Sequence, residues 1–458
     1  MRTKTALLLA LLALVSCTKV IRETIENTII EVHEVEVPSE EGPATLAYSV
    51  QSFGVLPTNS PGVNKIKLQN AIDWASSRGA ALFLEPVEGG YPMGSGLVLK
   101  KNVSLVGVHG PTGRGTVTVV DGERKPTGSV FIIRDTEDPF ITVQSASQIK
   151  GIQFDYPDQP MADASKIIEY PPTIQVDQTQ GVHSVTLSCL TFYGTYFAMD
   201  FRAQKSHPCE QILFEHCYGF PLSGQFIAID YCYDIPRILH CHVNPAIMRE
   251  NRGDYPATIN DYVANRRTYA YWIDHTDNAQ VMDIFTFATF GGIFLGPETY
   301  GQLTNFNFDQ VSNGIFKDGG GSFNRIWEVA QGSIIASFSP DGLIANIHPI
   351  IVQGRGQLNL TNVDCFCGKA GAATLTTQGM SYDFIKIQGG YWVVVTGSNC
   401  RMRNYQSDYP ITVTDPWAQV SFVNCSDKPD IYGNDGRIFS FTFAGQGNLG
   451  NGGTYTYN

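Results

Sequence analysis

Between Ser49 and Gly110 the apolar positions change period. Ile66, Leu68, Ala71, Ile72 and Ala75 recur at steps of roughly three and four, which predicts one short amphipathic helix over residues 64–77. Asn59, Ser60 and Pro61 supply start signals before it, and Gly79 supplies the stop. The pattern then turns to strands at Ala81–Leu84, Leu97–Leu99 and Val103–Val106, broken by Gly89 and Gly90 and closed by Gly107. One helix is followed by strands only.

Beyond Gly110 a loose phrase repeats: an alternating apolar strand, a polar turn, a corner and a second apolar run. Val185, Ile212 and Ile238 are 27 and 26 residues apart, and Val281, Leu303 and Ile326 are 22 and 23 apart. Such spacings suit one turn of a solenoid whose coils bury their inner faces only by stacking. The 43-residue step from Ile238 to Val281 holds about one extra coil, so residues 249–267 read as an insertion projecting from the stack.

Ser52-Phe53-Gly54, the helix through Ala71-Ile72, Leu82-Phe83-Leu84-Glu85-Pro86, and Leu97-Val98-Leu99 through Leu105-Val106-Gly107 together resemble the N-terminal region of the pectate lyase superfamily. The resemblance implies an all-β chain, a right-handed parallel β-helix with an N-terminal capping helix. It departs before the helix, where LPTNSPGVN replaces the family's acidic loop. Lyases, hydrolases, epimerases and phage tailspikes share the superfamily, so the resemblance implies fold more than reaction.

The composition agrees: 45 Gly, 26 Phe and 21 Tyr with 16% charged residues favour strands over a helical bundle. A net charge of −12 sets the chain against nucleic acid and sulfated glycans and is compatible with an uncharged or locally captured carbohydrate; the resemblance implies polysaccharide as the partner.

The N-terminus changes the expected setting. Residues 1–16 have a basic start and the apolar run Ala6–Val15, the form of a signal peptide. Leu14-Val15-Ser16-Cys17 resembles a bacterial lipobox, which implies lipidation at Cys17 and an exported protein tethered to a bacterial membrane. Residues 17–45 then read as an anchored stalk. Ile21, Ile25, Thr28, Val32 and Val35 form a short heptad-like stripe that would allow a homo-oligomer through the stalk; the alternative is a disordered spacer. Residues 46–110 form the cap and first coils, 111–440 the remaining coils, and 441–458 a frayed or edge-capping tail.

Candidate chemistry gathers on either side of the insertion. In residues 231–245, inward Leu239, Cys241 and Val243 would place His240 and His242 on the outer face, after Asp234 and Arg237. A guanidinium beside two imidazoles suits a lyase, offsetting a uronate carboxylate and taking the adjacent proton; the same residues also serve as hydrogen-bonding turn groups. Trp272-Ile273-Asp274-His275 resembles the WiDH motif of the main pectate lyase family. That likeness implies that Asp274 helps hold calcium against a substrate carboxylate; Asp274, Asp277 and Asp283 could supply hard oxygen ligands, Asp274 with Asp277 being the expected metal pair if the otherwise open cofactor is calcium, and Asp274 and His275 join the expected catalytic residues. The family's R-x-P-x-x-R partner is missing; Ile235-Pro236-Arg237 is a fragment of it.

A hydrolase needs two facing carboxyls, for which Glu215, Asp230, Asp283, Glu298 and Asp309 are available. The polygalacturonase motifs are absent. Tyr233, Asp234, Tyr271, Trp272, Glu298 and Asp309 are the expected substrate-binding residues. A polysaccharide lyase leads, a glycoside hydrolase of the same fold follows, and a non-catalytic glycan-binding or surface-structural protein is the third reading. The cysteines after the signal read as an inner ladder of unpaired thiols, with Cys189, Cys217 and Cys241 alike in successive coils and Cys400 and Cys425 repeating the pattern.

Overall fold

The computed structural model describes residues 47–109, 128–252, 258–319, 325–336, 347–366, 384–389, 392–403, 411–415 and 417–428. It also describes the strand segments 21–25, 28–32, 118–120, 123–125 and 437–444. The signal peptide, Cys17 and the last fourteen residues lie outside these.

Helix α1, Pro61–Ser76, opens the solenoid, with Pro61 as its first residue and Ser60 as N-cap. Its buried face presents Leu68, Ala71, Ile72 and Ala75, four of the five predicted positions, while Ile66 is only half-buried. Asn64 is fully buried at the start of that face. Its Oδ1 accepts from the Leu56 backbone N–H at 3.0 Å, and its Nδ2 donates to the carbonyls of Leu56 and Pro92 at 2.8 Å each. The helix is thereby pinned over the open end of the first coils.

From there the chain winds as a right-handed parallel β-helix. Among the described residues, eleven parallel strands form one flat side and twenty-one strands join in a second sheet that bends at a corner. One coil shows the plan. Ile227–Asp230 lies in the eleven-stranded sheet, Cys232–Tyr233 in a short three-stranded patch, and Arg237–Leu239 and His242–Val243 in the bent sheet. Helices α2 (Pro245–Arg252) and α3 (Thr258–Asn265) follow, before Tyr269–Ile273 starts the next coil. Residues 249–267, read from spacing as an insertion, overlap this helical pair.

Inner positions stack in columns. One runs Leu97, Ile141, Ile174, Met199, Ile227, Tyr271, Ile293, Ile315, Ile350, Ile385, Ile411. Each aliphatic side chain so enclosed contributes about 1.5–3 kcal/mol, and only stacking encloses it. One apolar cluster runs from Val50 to Cys425.

The bend of the second sheet has its own column. His216, His240, Asp283, Asn305, Gln331, Asn362, Asn399 and Asn424 all have φ between 51° and 55°. Asn and Asp tolerate this left-handed conformation best, which accounts for their frequency here.

This corner and the strand register correct three readings. Leu239 faces outward because the left-handed His240 interrupts the alternation, leaving Ile238 and Cys241 inside. Cys189 (φ 56°) occupies the same corner level as His216, while Leu190 stands above Cys217. The inward partner of Leu303 is Val329, three residues beyond Ile326.

At the N-terminus, Ile21–Ile25 and Thr28–Val32 pair as antiparallel strands, in place of a heptad helix; their Ile, Thr and Val content favours extended backbone. Val35 lies outside the described residues. At the far end, Arg437–Ala444 pairs antiparallel with Gln419–Lys428 and covers that edge of the bent sheet. The eight described cysteines are free thiols, with Cys209 stacked on Cys232 in adjacent coils. Cys367 lies outside the described residues. No described helix is long and apolar enough to cross a membrane.

Candidate active site

The eleven-stranded sheet ends, coil after coil, at a position one residue past its last inward side chain. Asp230, Asp274, Gly296 and Asp318 occupy that position in four successive coils. Ile229, Ile273, Leu295 and Lys317 precede them in register, and the N–H groups of Asp274, Gly296 and Asp318 each donate to the preceding coil's carbonyl at 2.7–2.9 Å. Two residues earlier in three of these coils, on the same outer face, stand Trp272, Phe294 and Phe316. Their rings stack in sequence, with centroids 3.9 Å and 5.6 Å apart. A carboxyl column therefore runs beside an aromatic column.

His275 binds the first two carboxyls together. Its Nδ1 lies 2.9 Å from Asp230 Oδ1 and 3.3 Å from Asp274 Oδ1, and its backbone N–H donates to Asp274 Oδ1 at 2.9 Å. Tyr231, one coil back, stacks on the imidazole with centroids 4.4 Å apart. The third coil has no side chain at this level, and the reason is steric. A Cβ on Gly296 would stand 2.5 Å from Asp274 Oδ1, so the Asp274 carboxyl lies across the glycine toward Asp318. Asp318 Oδ1 accepts from the Gly319 N–H at 2.8 Å and from Gln353 Nε2, on the following coil, at 3.0 Å.

Burial pushes the Asp274 carboxyl up to about 6, with the Asp230 and Asp318 charges adding to it and His275 opposing. Burial also raises Asp230, against its bond to His275. Lys317 is 2% exposed, and burial pulls its ammonium down to about 8 despite the charges of Asp318, Asp274 and Glu298. On the rim, Arg325 Nε donates to Glu298 Oε2 at 3.3 Å. Further back, Arg202 grips Asp200 through two bonds of 2.8 Å and 2.7 Å. Tyr233 borders the same rim, its hydroxyl raised by burial, then by Tyr231 and Asp230.

The structure sorts the expected site residues. Asp274, His275, Trp272, Glu298 and Tyr233 share this corner, and Asp277 stands near Tyr233. Arg237, His240 and His242 belong to the bent sheet instead. Arg237 Nε donates to Gln280 Oε1, His240 Nδ1 bonds Asp283 Oδ2 at 2.7 Å, and His242 stacks on Phe285. Asp234 lies in the connecting turn, where Gln211 Nε2 donates to it at 2.6 Å. Tyr271 is fully buried in the aliphatic column with its hydroxyl 3.1 Å from the carbonyls of Cys241 and Phe285, so it touches no ligand. Asp309 pairs in register with Phe287 on the bent sheet, apart from Glu298.

Calcium fits this donor set poorly. Among the described residues the one metal-like grouping is Asp230, Asp274 and His275, without Asp277. Calcium takes about six to eight oxygens, whereas here an imidazole bonds Asp230 and lies 3.3 Å from Asp274.

No family model matches the chain, and no curated protein does. Solved structures do. DFA-IIIase from Arthrobacter chlorophenolicus is 13% identical with a TM-score of 0.47, over 84% of this chain and 94% of that one. An exopolygalacturonase from Thermotoga maritima is 13% identical with a TM-score of 0.47, over 91% and 96%. A tailspike protein variant of E. coli bacteriophage HK620, in complex with pentasaccharide, is 11% identical with a TM-score of 0.48, over 83% and 65%. The likeness is one of architecture, and chemistry on such a scaffold resides in particular side chains.

Proposed function

We propose that the chain hydrolyses glycosidic bonds in a polysaccharide that lacks acidic groups, with Asp274 as general acid and Asp318 as general base. The supporting observation is the pair of outward carboxyls on one column with a glycine between them, one of them raised by burial to about 6. Asp318 bonds toward the following coil while Asp274 leans over Gly296, so the carboxyls stand between one and two coil spacings apart, roughly 5–10 Å. A gap of about 6.5–9.5 Å admits an attacking water and gives inversion at the anomeric carbon. Asp230, tied to His275, orients the acid. The Trp272–Phe294–Phe316 column offers its outer edges to sugar rings.

Elimination, the leading expectation from sequence, is disfavoured by the local charge. A uronate needs an uncommitted cation, yet Arg202 is bound to Asp200 and Arg325 to Glu298, while the corner concentrates Asp230, Asp274, Glu298 and Asp318. A neutral glycan meets no such repulsion.

Incubation with a panel of neutral polysaccharides tests this. New reducing ends without ultraviolet-absorbing unsaturated products, and an inverted first-formed anomer by NMR, are expected. Unsaturated products, or binding without release, overturn it. The leader and the lipobox-like tetrapeptide further support delivery to a bacterial membrane, for which mass spectrometry should find a diacylglyceryl group on Cys17.

A further inference from the structure

The second inner column of the eleven-stranded sheet contains one residue that does not belong by polarity. Ile229, Ile273 and Leu295 stack above Lys317, and Val352, Ile387 and Val413 stack below. An aliphatic residue there would cost nothing to bury. An ammonium costs several kcal/mol unless neighbouring charges and hydrogen bonds offset it.

What surrounds the ammonium is the proposed catalytic corner. Nζ donates to the backbone carbonyl of Asp318, and the carboxylates of Asp318, Asp274 and Glu298 are the charges that act on it. Arg325 engages Glu298 from the rim, and His275 engages Asp274 from the other side. Lys317 thus reaches the corner from inside the solenoid, beneath the two carboxyls that the proposed hydrolysis uses.

We infer that Lys317 is a positioning residue, whose buried positive charge holds the Asp318 turn in place and offsets the negative charge that Asp318, Asp274 and Glu298 gather around it. The inference rests on the hydrolytic reading for its consequence in turnover, and on the column and its hydrogen bond for its geometry. Three carboxylates close together resist ionisation, and a cation beneath them relieves that resistance without entering the groove. Its burial pulls the ammonium down to about 8, so it is charged at neutral pH.

Lys317→Met and Lys317→Gln test it together. Methionine fills an aliphatic position, so the fold should keep or gain thermal stability. Glutamine retains a donor for the Asp318 carbonyl without the charge. Both should move the limb of the kcat pH profile that Asp274 sets upward by about one unit, because losing a nearby cation raises that carboxyl further. A profile identical to wild type in both variants, or one restored by glutamine, overturns the role of the charge. A readout independent of turnover is the protonated-carboxyl infrared band that Asp274→Asn removes: it should titrate near 6 in the wild type and higher in both variants. If no glycan is hydrolysed but the band still shifts, the hydrolytic reading fails and Lys317 keeps its electrostatic role. If the band does not shift and the variants melt early, Lys317 is merely a structural tether.

Discussion

Asp274→Asn should stabilise the protein at neutral pH while abolishing its turnover, and the size of the first effect follows from the site. The carboxyl is 16% exposed and raised from 3.8 to about 6. A raised carboxyl binds its proton more tightly folded than unfolded. Its destabilising effect is therefore absent below the unfolded value, grows as pH rises from about 4 to 6, and is complete above the folded value. Roughly two pH units correspond to at most about 3 kcal/mol at pH 7. Asparagine keeps an Oδ1 to accept from the His275 N–H and carries no charge. For a chain of this length, about 3 kcal/mol translates into about 3 °C in Tm. Calorimetry at pH 4 and pH 7 should thus find little change at pH 4 and a gain at pH 7. Loss of the general acid should lower kcat on the order of 100- to 10,000-fold. An equal Tm change at both pH values, or early melting at pH 7, would refute the charge-burial reasoning.

Gly296→Ala should cut kcat at least tenfold with a loss of about 1–3 kcal/mol in stability, since the new methyl would occupy the place of the Asp274 carboxyl; kinetics and denaturant melts check both. Trp272→Ala should raise KM several-fold and leave kcat within about twofold, consistent with a stacking contribution of about 0.5–1.5 kcal/mol, as read from steady-state kinetics. The seven buried cysteines among the described residues should resist thiol reagents in the native protein, Cys189 at the corner should react sooner, and all eight should react fully after denaturation without reductant; a requirement for reductant would contradict the free thiols.

The architecture was legible because a solenoid writes its period directly into the chain. The helix at Pro61–Ser76 and the strands that follow were readable from apolar spacing. What spacing alone could not provide was register. Alternation through residues 237–243 would be sound for an uninterrupted strand, but a left-handed residue at His240 resets the phase, and nothing in a histidine announces that conformation. Three of the expected catalytic groups, Arg237, His240 and His242, lie along the bent sheet, remote in the coil from Asp274.

The candidate site was half legible, for a related reason. Asp274 and His275 stood out by their resemblance to a known motif, whereas Asp318 and Lys317 resemble nothing until coils are aligned by their strand ends. Aligned so, IAID, YWID, IFLG and IFKD, at residues 227–230, 271–274, 293–296 and 315–318, become four versions of one phrase. The last letter then gives the carboxyl column with its glycine, and the letter before it exposes Lys317 as the single charge among Ile229, Ile273 and Leu295. In a stacked fold the informative unit is therefore the position across coils. A polar residue that breaks an aliphatic column locates a site more sharply than a polar run along the chain, because burying it has a cost that the turn residues of 231–245 never incur.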